Sequence, residues 1–124
     1  MTGSFDVFVC GPLPDGDSLA RALPGGRRVA AAHVTGTLYD TGDGYPALVL
    51  AGTGRVSGQI WRFPAARLWQ LDLLQGVEER LLRRVGVRVN ERACWAYVAG
   101  PKLARRLTSD RVLPGGAWPT VPAS

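Results

Sequence analysis

The sequence is poor in the residues that bind metals or form disulfide frameworks. Its 124 residues include one histidine, His33, and two cysteines, Cys10 and Cys94. A lone histidine cannot build a metal centre, so we expect no metal, and nothing in the sequence requires another cofactor. Both cysteines stand in apolar, strand-like stretches, which predicts buried, reduced thiols; the alternative is a disulfide between the two.

Long hydrophobic runs are also missing. No stretch approaches the roughly 18 apolar residues of a membrane span, and the segment Met1–Asp6 lacks the basic and apolar stretches of a secretion signal. We therefore predict a cytoplasmic protein with no membrane partner. With 46% hydrophobic residues, a chain of this length can bury one core, so we predict a single domain over residues 1–124.

Acidic residues are in the minority, with 10 against 15 basic residues and a net charge of +5. The arginines do not form a stripe, and six of them come as separated pairs: Arg27-Arg28, Arg83-Arg84 and Arg105-Arg106. No recognition-helix pattern, zinc-ligand spacing or RNP-like strand accompanies them, which argues against a nucleic-acid partner. We expect a small-molecule ligand instead, and the net positive field would favour the approach of an anionic one.

Alternating apolar residues bounded by turn residues predict a series of strands. They are expected at residues 5–10, 27–39, 46–51, 55–63, 81–89 and 93–98, with a hairpin turn at 90–92. The strand at 27–39 should be long and bent around Gly36, because glycine inside a strand often marks a bulge. The segments at 46–51 and 55–63 are expected to be successive antiparallel strands.

One main helix is predicted after these strands. Pro64 is placed in its first turn, apolar residues follow at helical spacing, and Gly76 ends it. A shorter helix is predicted from Asp17 or Ser18 to Leu23, and the chain after Gly100 is expected to be mostly loop. Strands and a helix in this arrangement predict an α+β domain.

Short signatures follow one another in a fixed order along this framework. They read Phe8-Val9-Cys10-Gly11-Pro12-Leu13, Gly36-Thr37-Leu38-Tyr39-Asp40, Tyr45-Pro46-Ala47-Leu48, Val56-Ser57-Gly58-Gln59-Ile60-Trp61, Leu71-Asp72-Leu73-Leu74-Gln75-Gly76 and Pro114-Gly115-Gly116-Ala117-Trp118. In this order and spacing the chain resembles the γ-glutamylcyclotransferase-like (AIG2-like) family over nearly its whole length. The resemblance implies a small mixed, mostly antiparallel β-barrel with one main packed helix.

The resemblance also implies a chemistry. In that family an internal amine attacks the γ-carbonyl of a γ-glutamyl group, which closes the ring of 5-oxoproline and expels an amine. The reaction needs hydrogen-bond donors for the substrate carboxylate and the oxyanion, a carboxylate that moves the proton, and a cavity that excludes water. The family takes the donors from the loop after the first strand and the carboxylate from a glutamate at the helix end.

The loop departs from the family pattern, which reads Tyr-Gly-Ser/Thr-Leu. The corresponding candidates for substrate binding are Cys10, Gly11, Pro12 and Leu13. The amides of Gly11 and Leu13 could form an anion nest, but Pro12 has neither an N–H nor the family's hydroxyl. The alternative is a plain proline turn. A nucleophilic Cys10 would need a neighbouring base, which His33 on another strand does not predict, so an inert thiol is favoured.

The helix end departs as well. The family motif there is Leu-Asp-x-x-Glu-Gly, and Gln75 stands at the position of its glutamate. An amide hydrogen-bonds but cannot carry a proton between two nitrogens. Asp72, one helical turn earlier, is the nearest candidate for a substitute, and its alternative is a structural hydrogen bond. Glu78 and Glu79 are further candidates, although the arginines around them favour surface ion pairs.

Tyr39 and Tyr45 flank a glycine-rich turn within family motifs, so either hydroxyl could orient a ligand, with simple packing as the alternative.

Three hypotheses remain open. The chain is a divergent member with a small-molecule pocket and a lost or replaced acid–base step, a non-catalytic metabolite-binding or regulatory module, or a true cyclotransferase that uses Asp72 or a nearby glutamate.

Overall fold

The computed structural model describes residues 3–10 and 23–118 of the chain. The described strands are β1 (Ser4–Val9), β2 (Arg27–Thr35), β3 (Thr37–Asp40), β4 (Pro46–Val49), β5 (Arg55–Pro64), β6 (Leu82–Val89) and β7 (Arg92–Ala99). Two short α-helices, α1 (Leu68–Leu74) and α2 (Pro101–Ala104), and the 3-10 turns Ala65–Arg67 and Ser109–Arg111 complete the described elements. The predicted loop Gly11–Leu13 and most of the helix predicted up to Leu23 lie outside the described residues. Neither described α-helix is long and apolar enough to cross a membrane.

The strands form one curled, mixed sheet, a half-barrel, with α1 as its main packed helix. Its order is β2-β5-β1-β7-β4-β3, and β6 pairs with β7 in addition. The pairs β1–β5, β2–β5, β3–β4 and β6–β7 are antiparallel, whereas β1–β7 and β4–β7 are parallel. The predicted α+β class and mostly antiparallel mixed sheet are confirmed.

Two strands share one edge of β7. β6 pairs with β7 from Arg92 to Ala99 and so occupies one edge along its whole length. On the other edge, β1 pairs at Trp95 and Ala96, and β4 pairs only at Val98. Because β1 and β4 use successive parts of the same edge, the sheet opens between the end of β1 and the start of β4.

The core has two parts, one on each face of the sheet. Side chains alternate between the faces along a strand, so Val7 packs against Leu71 of α1 while Phe8 packs with Ile60 and Ala96 on the other face. Leu71 is the buried residue of α1. The helix therefore covers the part of the sheet next to the opening between β1 and β4.

Several predicted boundaries were wrong. Pro64 ends β5 opposite Ser4 in an extended conformation, and the α-helix begins only at Leu68, after a 3-10 turn. Proline's restricted φ suits an extended residue as well as a first helical turn, so the sequence signal is ambiguous. The described region after Gly100 is mostly loop, as predicted, apart from α2, with Pro101 in its first turn, and the 3-10 turn Ser109–Arg111.

The predicted pairing of neighbouring strands was also wrong in part. Thr35 and Thr37 belong to separate strands on either side of Gly36, and β5 pairs with β1 and β2 instead of β4. The hairpin between β6 and β7 is confirmed. Its two turn residues, Asn90 and Glu91, both have positive φ, the geometry of a tight two-residue turn that follows the twist of the strands.

Candidate functional site

A cavity of about 500 Å³ lies where the sheet opens between β1 and β4. Its described lining residues are Val7, Phe8, Val9, Cys10, Tyr45, Pro46, Leu48, Leu71, Leu73, Leu74, Gln75, Gly76, Glu79, Leu81, Leu82 and Tyr97. The walls are mostly aliphatic, with one amide, one carboxylate, one thiol and two phenols among them. A concave, apolar cavity with a few polar groups is typical of a small-molecule site.

Gln75 is placed in this cavity by the way α1 ends. The N–H of Val77 donates to the carbonyl of Asp72 at 3.2 Å, and the N–H of Gly76 donates to the carbonyl of Leu73 at 3.2 Å. These two bonds, with Gly76 at φ +70°, form a Schellman motif in which Gln75 is the C-cap. Gly76 therefore ends the helix, and the motif fixes the backbone position of Gln75 from which its amide side chain extends.

Glu79 is the only charged side chain among the described residues that line the cavity. It follows Gly76 in the turn that returns the chain to β6, and a Cβ built on Gly76 would lie 3.5 Å from its Oε2. Glu79 therefore folds back over the residue next to Gln75. None of the ion pairs found among the described residues includes it, so the surface ion pair predicted for it has no counterpart there.

Asp72 has a different environment. Its Oδ1 accepts a hydrogen bond of 2.6 Å from the Tyr97 hydroxyl and lies 3.2 Å from Nε of Arg84. The Arg84 guanidinium in turn sits 4.4 Å from the centre of the Trp95 ring. Burial, with the neighbouring Asp72 carboxylate adding to it, raises the pKa of Tyr97 well above its ordinary value. Asp72 therefore holds α1 to the β6–β7 hairpin, and it is not among the described lining residues.

Tyr97→Phe tests this structural role of Asp72. Removing the hydroxyl deletes a partly buried hydrogen bond to a charged acceptor, and we expect the free energy of unfolding to fall by about 1–3 kcal/mol. Urea unfolding of the variant measures it. Tyr39→Phe is the matched control, since the described hydrogen bonds include none from that hydroxyl; equal losses in the two variants would contradict the role given to Asp72.

Comparison with known proteins identifies the family of this chain. The model of the family described as gamma-glutamyl cyclotransferase, AIG2-like, matches residues 7–120. The chain belongs to that family. A search of the curated proteins finds no match.

Solved structures of AIG2-like proteins and their relatives share the fold. The solution structure of protein ytfP from Escherichia coli is 25% identical, with a TM-score of 0.69, and the match covers 92% of this chain and 96% of that one. An AIG2-like protein from Mus musculus is 15% identical, with a TM-score of 0.66 and coverage of 98% and 99%. A protein described as gamma-glutamyl cyclotransferase is 18% identical, with a TM-score of 0.69 and coverage of 78% and 67%.

The structure brings some of the residues singled out from the AIG2-like motifs to the cavity and leaves others away from it. Cys10, Tyr45 and Gln75 line it, whereas Tyr39 lies on β3 opposite Ala47 and is not among the described lining residues. Gly11, Pro12 and Leu13 lie outside the described residues. Their roles, and those of Asp72 and Gln75, stay predictions.

Burial raises the pKa of the Cys10 thiol to about 12, so the thiol stays protonated at neutral pH. A thiol is a poor nucleophile in that form. His33 is an exposed residue of β2 and does not line the cavity. Within residues 3–10 and 23–118, no group of three or more histidine, cysteine or acidic side chains could hold a metal ion.

Sequence reasoning missed the contribution of Leu73 and Leu74 to the cavity. A short helix packed on a sheet buries only one face, and both leucines are about half exposed, at 47% and 54%. The available signal was the run of apolar residues on both sides of Asp72, which exceeds what one buried face of a seven-residue helix needs. Leucines left exposed beside a cavity are candidates for ligand contact.

A second cavity of about 570 Å³ lies near the start of β1. Its lining includes Asp6, whose carboxylate is held by Arg62 at 2.7 Å and by Arg92 at 3.2 Å. The hydrogen bond from Arg62 lowers the pKa of Asp6, although burial opposes it. This carboxylate already has two guanidinium partners. The first cavity, which Gln75 lines and which we call the Gln75 cavity, is therefore the better candidate for a ligand site.

Proposed function

We propose that this protein is a divergent AIG2-like protein that binds a small molecule in the Gln75 cavity. In this proposal the usual acid–base step that forms 5-oxoproline is lost, or replaced by another cyclisation or isomerisation. The observation that carries it is the position of Gln75, at the C-cap of α1 and in the cavity wall, where the family motif has its glutamate. Two free thiols fit the cytoplasmic location expected from the sequence.

The chemistry of the amide explains why the family reaction would fail. Ring closure requires the attacking amine to lose a proton and the leaving nitrogen to gain one. A carboxylate does both by taking the proton and handing it on, and such transfer contributes about 10²–10⁴ in rate. The amide of Gln75 neither takes up nor releases a proton near neutral pH, so it can orient a bound molecule but cannot shuttle the proton.

The cavity itself remains suited to a reaction or to binding. Aliphatic walls exclude water and strengthen each polar contact inside. A substrate already able to cyclise needs little more than correct orientation, which supplies a large part of a barrier. A non-catalytic metabolite-binding or regulatory role uses the same walls without any chemical step.

A second candidate function is a true γ-glutamyl cyclotransferase with a relocated carboxylate. The observation that favours it is Glu79, which lines the same cavity and folds back toward the residue next to Gln75. Asp72 is a weaker candidate for this step, because its carboxylate would first have to give up Tyr97 and Arg84.

The test is 5-oxoproline formation by the wild-type protein from a panel of γ-glutamyl amines and peptides, measured by mass spectrometry. We expect the rate to equal the rate without protein, because no carboxylate stands at the family position. Glu79→Gln is assayed in parallel. An enzymatic rate in the wild type that Glu79→Gln removes would contradict the loss of the family reaction and establish the second candidate.

A further inference from the structure

We infer that the ligand of the Gln75 cavity is an ammonium compound with an apolar body, and that Glu79 pairs with its charged nitrogen. The inference rests on the proposed function only in taking this cavity as the ligand site. It concerns the charge of the ligand, which the family resemblance does not fix.

The charge of the described lining is the first argument. Glu79 carries the only formal charge among the described lining residues, and a carboxylate in a mostly apolar wall repels an anion and attracts a cation. The nearby Asp72 carboxylate is already paired with Arg84 and with the Tyr97 hydroxyl. The described wall therefore offers one uncompensated negative charge.

The net charge of the whole chain points the other way, since +5 favours the approach of anions. Charges elsewhere on the surface are screened beyond about 8 Å at physiological ionic strength, whereas Glu79, although exposed, lines the cavity and can contact a bound ligand directly, well within that distance. The contact therefore decides which ligand stays bound, and the overall field affects mainly the rate of approach.

The arrangement of acceptors is the second argument. An ammonium group has only donors, and it is best held by several oxygen acceptors around it. Glu79 and Gln75 both line the cavity, Gln75 directly precedes Gly76, and Oε2 of Glu79 lies 3.5 Å from a Cβ built on Gly76. The two side chains together give a cation a charged and a neutral acceptor at one end of the cavity.

The apolar walls are the third argument. Leu73 and Leu74 are half exposed, and Leu71 and Leu82 lie deeper in the same wall. A ligand that covers the exposed leucines removes apolar surface from water, which favours binding in proportion to the area covered. A cavity of about 500 Å³ is within the range that holds small ligands.

The test compares three six-carbon probes that differ only in their end group: hexylamine, hexanol and hexanoate. Binding to the folded protein at neutral pH is followed by the shifts of its NMR signals. We expect hexylamine to bind about two- to fivefold more tightly than hexanol, because Glu79 is an exposed partner, and hexanoate to bind more weakly than hexanol. In Glu79→Gln the advantage of hexylamine should disappear while hexanol binding is retained.

Glu78→Gln is the matched control, because it makes the same change of charge one residue earlier, outside the described lining. We expect it to keep the preference for hexylamine. Tighter binding of hexanoate than of hexylamine, or an equal loss in both variants, would overturn the inference and leave the proposed ligand site standing. If none of the three probes perturbs the lining residues, the proposed ligand site itself fails.

Discussion

Gln75→Glu is expected to give 5-oxoproline formation from γ-glutamyl amines at a rate about 10²–10⁴ above that of the wild type. In the variant, the α-amine nitrogen attacks the γ-carbonyl carbon and forms the ring C–N bond. The new carboxylate takes the proton from that nitrogen and delivers it to the leaving nitrogen. The original amide C–N bond then breaks, which releases 5-oxoproline and the free amine.

The expected gain depends on the place that the structure gives this side chain. The Schellman motif fixes the C-cap of α1 through backbone bonds at Gly76 and Val77, and neither bond involves the side chain of Gln75. The substitution should therefore leave the backbone unchanged and put a carboxylate in the cavity wall. Purified protein and mass spectrometry of the product measure the effect.

Gln70→Glu is the matched control for this gain. It makes the same chemical change on the same helix, but Gln70 pairs with Arg67 and is not among the described lining residues. We expect no 5-oxoproline from it. If Gln75→Glu also gives none while it still binds the hexyl probes, the missing glutamate does not by itself account for the lost reaction.

Local signals in the sequence predicted much of this fold. Gly76 predicted the end of α1, Asn90 lies in the hairpin turn that joins β6 and β7, and the alternation in β1 predicted a strand. Each of these depends on residues that are close together in the chain. The ordered motifs then predicted the family, because their order and spacing extend over most of the chain.

The pairing of β4 could not be predicted in the same way. Its partner β7 lies about fifty residues later, and the contact is one parallel position, Leu48 opposite Val98. Hydrophobic pattern shows that a strand has a buried face, but not which distant strand lies beside it. The cavity exists because of this pairing, so its lining could be predicted only in part.

Glu79 illustrates the same limit at the level of one side chain. The sequence places it among Arg80, Arg83 and Arg84, which predicts a surface ion pair. In the structure Arg84 pairs with Asp72 instead, because α1 lies against the β6–β7 hairpin. Helix packing therefore decides whether Arg84 is available to Glu79, and the sequence neighbours of Glu79 do not reveal that packing.

The closing motif Pro114–Trp118 has a structural role that leads to the second large effect. Its carbonyl at Gly116 accepts a hydrogen bond of 2.8 Å from the N–H of Ser57, and the N–H of Leu113 donates to the carbonyl of Leu38 at 2.8 Å. The segment thus ties β3 to β5, and Leu113 packs against the part of the core that contains Phe8 and Ile60. At Gly116 the backbone has φ +64°, and a Cβ there would collide with the carbonyl of Arg55.

Gly116→Ala is therefore expected to lower the free energy of unfolding by about 2–5 kcal/mol. A left-handed backbone costs a residue with a Cβ about 1–2 kcal/mol, and forcing an extra methyl against fixed backbone costs about 1–3 kcal/mol more. Urea unfolding followed by tryptophan fluorescence measures the loss. Gly115→Ala is the control one residue away, where a Cβ meets nothing within 4 Å, and it should change stability by less than about 0.5 kcal/mol. Similar losses at both positions would mean that the closing segment does not hold β5 in the way its hydrogen bonds indicate.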